Sequence, residues 1–111
     1  MINNGFFVLL STCPDEQTAA GIARTLVEAS LVACVNIVPG IRSIYRWQGS
    51  VEDDPEVLMI LKTTGDRLEA ARAGILELHP YEVPEVLALP VADGHHDYLS
   101  WVAEATRTTP R

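Results

Sequence analysis

The chain has one lysine, two cysteines and three histidines in 111 residues, and each shortage narrows the field. Two cysteines, Cys13 and Cys34, allow at most one bridge, and no C-x-x-C or H-E-x-x-H spacing prefigures a zinc site. Gly65 and Gly74 stand alone, so no glycine-rich phosphate loop exists, and no G-x-S-x-G elbow places a nucleophile. No apolar run approaches the roughly 20 residues of a membrane span. Met1–Gly5 lacks the basic flank and cleavage site of a secretory signal, so a cytoplasmic protein with both thiols reduced is expected, Cys34 as plain core. The formal net charge of −7 repels nucleic acid and anionic membranes, and the aromatic-basic signature of RNA-binding sandwiches is missing.

Residues 1–111 are of a size for a single domain, and the 48% hydrophobic content is enough for a packed core. The chain is organised around 31–64, which reads as one long hairpin: Leu31–Pro39, a break at Gly40, Ile41–Trp47, a turn over Gln48–Asp54, and Glu56–Thr64. Val32, Cys34 and Val38 alternate with Ala33, Val35 and Ile37, and Val57, Met59 and Leu61 alternate with Leu58 and Ile60. A strand with one wet face would alternate apolar with polar. Both faces of this hairpin are dry.

Phe6–Ser11 is an interior strand, and Thr12-Cys13-Pro14-Asp15 opens a helix with a Ser/Thr cap and an early proline. Ala19, Ile22, Ala23, Leu26 and Val27 give its apolar stripe through Ala29. Asp66 and Glu69 resemble the capping box of a second helix that Pro80 ends. Val83–Val91 is a proline-punctuated edge strand, and Gly94–Asp97 starts a last helix. Strand, helix, strand, strand, helix, strand is the split βαβ order of a ferredoxin-like α+β sandwich, here with a C-terminal helix added. Right-handed crossovers place both long helices on one sheet face. The other dry face then needs other subunits to cover it, with Val35 and Ile37 read as facing them.

Four features carry candidate chemistry. His79-Pro80-Tyr81-Glu82-Val83-Pro84-Glu85 holds an imidazole, a phenol and carboxylates on a proline-stiffened backbone, which suits a ligand site or a rigid connection. Lys62, in an apolar strand, is an anion contact or a snorkelling side chain. Tyr45 and Trp47 share a strand face and suit a pocket wall or subunit packing. His95-His96-Asp97 is a loose metal site or an exposed helix start. Cys13, near a helix start, is a reactive thiol or a packed one.

Leu31–Asn36, Tyr45 with Trp47 and Gly49, Ile60–Thr63, His79–Glu85 and Asp97–Trp101 resemble the CutA divalent-cation tolerance family in order and spacing over about residues 5–105. The resemblance implies a ferredoxin-like subunit in a tight homotrimer, similar to the nitrogen-regulatory PII proteins, with the sheets facing inward. It implies a role in tolerance of divalent metal ions, with copper bound by some bacterial members through a first-strand cysteine and a His-His pair before Pro-Tyr. At those positions this chain has Ser11, Leu78 and His79, so His79 is the one metal candidate, and Gln48 stands where many relatives have Glu. Copper or another divalent cation is the candidate cofactor, and weak binding is expected. The alternative is a PII-like sensor or scaffold. In it Tyr45, Trp47, Lys62, His79, Tyr81 and Glu85 meet across a subunit interface to hold a small anion on Lys62. An enzyme using Tyr81, His79 and Glu85 for acid–base work ranks third, with no substrate indicated.

Overall fold

The computed structural model describes residues 5–107. Its elements run β1 (Phe6–Cys13), α1 (Glu16–Glu28), β2 (Cys34–Trp47), β3 (Ser50–Thr64), α2 (Gly65–Leu78), β4 (Leu87–Pro90) and α3 (His96–Ala105). The sheet order is β2-β3-β1-β4, with every neighbouring pair antiparallel. This is the expected split βαβ topology, with the first and third strands central.

One sheet face carries the core. Leu9 and Cys13 of β1 and Val57, Met59 and Leu61 of β3 pack against Ala19, Ile22 and Leu26 of α1 and Ala71 and Ile75 of α2. The helices approach closely at Gly74, where a Cβ would sit 2.7 Å from a Leu26 methyl carbon. Val35 and Ile37 pack against this same cluster. They therefore face the helices, and the expectation that they face partner subunits is corrected.

The opposite face is where the sheet is short of cover. Cross-strand partners share a face, so the pairings Leu10↔Ile60, Val8↔Lys62, Val8↔Leu89, Leu10↔Leu87 and Val38↔Leu58 collect these side chains there. Val8, Leu10, Leu58 and Ile60 are half-buried, while Leu87 and Leu89 are exposed. α3 contacts β3, and its Tyr98 interacts with Cys34, whose cross-strand partner is Lys62. It thus covers one end of this face. Cys34 is half-buried beside Lys62 and outside the core cluster, not the plain core residue expected.

Several boundaries move for local reasons. The turn is only Gln48-Gly49, with φ of 50° and 86°, the positive pair that a two-residue hairpin needs. Ser50–Asp54, expected in the turn, already pairs with β2. Asp15 rather than a Ser or Thr caps α1, accepting from the Thr18 amide at 2.7 Å, because β1 runs on to Cys13. Thr64 precedes α2 and makes no side-chain cap, so the Asp66–Glu69 box is not what starts it. Pro84 lies outside the last strand, which shrinks from Val83–Val91 to Leu87–Pro90.

Candidate functional site

The hairpin outruns the helices and gives the molecule its 49 Å length. Pro39 and Gly40 make a bulge in β2, beyond which Ile41↔Glu56, Ser43↔Asp54 and Tyr45↔Glu52 pair. Alternation then sorts the stem into two unlike faces. One carries Tyr45 and Trp47 with Glu52, Asp54 and Glu56. The other carries Arg42, Arg46 and Asp53, and the Arg42 guanidinium grips Asp53 through two bonds of 2.8 and 2.7 Å. The stem's cations are thereby kept off its acidic face.

The segment after α2 closes the other side. His79 is 8% exposed, and its ring nitrogens are both engaged. The Tyr81 backbone N–H donates to Nδ1 at 3.1 Å. Nδ1 must therefore lack a proton, and the proton on Nε2 is donated to the Thr12 carbonyl at 2.7 Å. The Cys13 sulfur lies 3.7 Å from the same Nε2. The Tyr81 ring leans on the imidazole at a centroid distance of 4.7 Å, and its hydroxyl donates to Glu56 Oε2 at 2.5 Å. Across the stem, Tyr45 donates to Asp54 Oδ2 at 2.8 Å.

Between the two lies a cavity of about 960 Å³ lined by Tyr45, Trp47, Asp54, Glu56, Tyr81 and Glu85 together with smaller residues and Glu82. Among the described residues, its lining holds four carboxylates and no lysine, arginine or histidine. The negative charge leaves a mark on the nearby acids. The Tyr45 phenol is pushed up to about 12, chiefly because it donates to Asp54. Burial and the Glu56 bond push Tyr81 higher still. Burial, then Glu56 and Asp15, raise the Cys13 thiol to about 11. A thiol so raised stays protonated at neutral pH, and Cys13 is a packed residue rather than a reactive one.

A raised phenol favours the neutral form in the fold. Its stabilising contribution is complete below the ordinary tyrosine pKa of about 10 and is lost as pH rises through the folded value. In a Tyr98→Phe background, phenolate absorbance should therefore show no step near pH 10 in the native protein, with the Tyr45 step at about 12. Asp54→Asn should bring that step down. A native titration with a normal step near 10 would contradict the two phenol–carboxylate bonds.

Of the six expected cleft residues, Tyr45, Trp47, Tyr81 and Glu85 line the cavity. His79 stands behind Tyr81 as its support. Lys62 lies six residues along β3 from Glu56, about 20 Å away at strand rise. It bonds to Asn36 Oδ1, with Cys34 Sγ at 3.8 Å. Within one chain the proposed anion contact is thus absent from the cleft, whose lining is acidic. Glu56 and Asp54 were not singled out from the sequence, and Glu82 stood in the 79–85 candidate segment but outside the expected cleft set. Acids two apart on a hairpin arm, Glu52, Asp54 and Glu56, were the signal that would have found the first two. His95 and His96 begin α3 beside Asp97 on exposed side chains, and among the described residues no three His, Cys, Asp or Glu groups converge as a metal site.

The family model for the CutA1 divalent ion tolerance protein matches residues 7–105. The divalent-cation tolerance protein CutA of Thermus thermophilus is 52% identical over 99 residues, covering 89% of this chain and 96% of that one. Protein CutA of Homo sapiens is 50% identical over 97 residues, and the match spans 54% of its length. Among solved structures, the Thermus thermophilus cation tolerance protein (Cut A1) superposes with a TM-score of 0.88 at 50% identity, covering 92% of this chain and 99% of that one. The periplasmic divalent cation tolerance protein CutA of Archaeoglobus fulgidus gives 0.89 at 33% identity, covering 92% and 99%.

Proposed function

The chain belongs to the CutA1 divalent ion tolerance family, and from that premise we propose that it acts in divalent-metal tolerance as a PII-like homotrimer whose sheets face one another. The observation that carries the assembly is the face of Val8, Leu10, Leu58, Ile60, Leu87 and Leu89, which α3 covers only at one end. β2 adds a 14-residue edge that, among the described residues, has no strand on its outer side. A contiguous apolar surface beside an unpaired edge is what protomers bury in one another. In a host lacking the protein, growth in elevated copper should fall and be restored by the wild-type chain. Equal growth with and without the protein would overturn the tolerance role.

The metal itself is held weakly in this reading. The resemblance implies copper binding by some bacterial relatives, but the three positions that it assigns to the ligands do not fit the ion here. Ser11 offers a fully buried hydroxyl with no hydrogen-bond partner, Leu78 offers no donor, and both His79 nitrogens are engaged. Copper prefers thiolate or several imidazoles. Calorimetric titration with Cu²⁺ should give no tight one-per-chain site, and His79→Ala should leave the isotherm alone. The same change should lower stability by about 1–3 kcal/mol, because the Thr12 carbonyl and Tyr81 amide lose their partner. A nanomolar isotherm abolished by His79→Ala would show that the ring is a ligand after all.

We read the chain as a binding protein rather than an enzyme. Two of the three acid–base candidates support this, since both His79 nitrogens are hydrogen-bonded and the Tyr81 hydroxyl donates to Glu56, and the thiol of the separate candidate Cys13 has its pKa raised. A cytoplasmic location suits its two free cysteines.

A further inference from the structure

We propose that the cleft between the hairpin stem and the 80–85 segment binds a small organic cation, its ammonium group lodged between Asp54 and Glu56 and walled by Tyr45 and Trp47. The inference rests on the cleft geometry and stands or falls separately from the metal-tolerance reading.

Charge is the first reason. The lining has carboxylates from both sides, Asp54 and Glu56 on the stem and Glu82 and Glu85 opposite, with no basic side chain among the described residues that line it. Both stem arginines lie on the opposite face, Arg42 bonded to Asp53 and Arg46 donating to the Gly49 carbonyl. Burial is the second. Glu56 is only 8% exposed, and its hydrogen-bond partner is the neutral Tyr81 phenol rather than a cation. A carboxylate that far from water ordinarily has a countercharge. Here a ligand would supply it.

The shape of the site selects among cations. No three ligating groups converge among the described residues, so a bare metal ion would not find its coordination shell. An ammonium group needs none: it hydrogen-bonds carboxylates a strand-pleat apart and presents its carbon-bound surface to aromatic rings, where cation–π attraction adds to the charge pairing. Tyr45 and Trp47 sit two residues apart on the same stem face as Asp54 and Glu56, and Tyr81 closes the far wall. A volume of about 960 Å³ accommodates a molecule larger than an ion. An anion would meet four carboxylates there and no side-chain cation among the described lining residues.

The test titrates the full chain, in its native assembly, with butylammonium chloride and tetramethylammonium chloride at constant ionic strength. Sodium butyrate and magnesium chloride serve as comparators. Fluorescence of Trp47 is read in a Trp101→Phe background, since Trp101 packs on Tyr98 in α3. A second readout is the NMR shift of the Tyr81 amide. Both ammonium salts should give saturable changes in both signals, and butyrate none. Glu56→Gln keeps an acceptor for Tyr81 and removes the charge; it should weaken ammonium binding at least tenfold. Asp54→Asn should weaken it similarly and decides the matter if the Glu56 variant does not fold. The proposal is overturned if all four salts act alike, if Mg²⁺ or butyrate saturates more tightly, or if the folded variants bind ammonium as the wild type does.

Discussion

Ile60→Asp should turn the proposed trimer into a folded monomer. Ile60 is half-buried on the face away from α1 and α2, paired with Leu10 on one side and Asn36 on the other. In a lone subunit the new carboxylate reaches water at modest cost. In the trimer it would be buried against the facing subunits, with only Asn36 and the Asn36-bound Lys62 as polar neighbours, where an incompletely paired charge costs several kcal/mol at each subunit. Three such penalties exceed what an interface of ordinary size supplies. The variant should keep its far-ultraviolet circular dichroism and elute at one-third of the wild-type mass. If it unfolds outright, Ile60 belongs to the subunit core; if it remains trimeric, the interface lies elsewhere. Val35→Asp and Ile37→Asp give the contrast. These side chains pack against the core cluster under α1 and α2, so a charge there should unfold the subunit instead of freeing it.

Leu61→Ala should cost about 2–5 kcal/mol, the range for truncating a fully buried leucine. Leu61 is 0% exposed on the helix-covered face of β3, paired with Leu9 and Val35. A central strand flanked on both sides has little freedom to collapse into the void, which places the loss in the upper part of that range. Denaturant unfolding at a fixed chain concentration checks this, since assembly links stability to concentration. A loss under about 1 kcal/mol would mean that the sheet and helices are not packed around this residue.

The order of elements was legible because apolar periodicity changes from two to 3.6 and back along the chain. The alternation of β2 showed two dry faces, but periodicity carries no label for which face a helix covers. Val35 and Ile37 were accordingly given the wrong neighbour. The turn was drawn too long because aspartates are depleted in strands. In the stem they are tolerated by cross-strand partners, Arg42 for Asp53 and Tyr45 for Asp54, that lie far apart in sequence.

The cleft was visible in outline through its aromatics and the proline-bound 79–85 segment. Its sign was not. A sole lysine in an apolar strand suggested an anion, whereas the buried acid opposite Tyr81 is the charge that lines the cavity. The role of His79 was equally hidden: a histidine beside a proline reads as a ligand until the backbone groups that take both its nitrogens are in place.

Assembly through the uncovered sheet face is the claim on which the rest depends, and light scattering coupled to size exclusion addresses it most directly. The wild-type chain, run at low micromolar concentration, should give a single peak at three times its 12.1 kDa mass, unchanged on further dilution. A monodisperse peak at the mass of one chain would contradict the account, because the apolar face would then stand open to water.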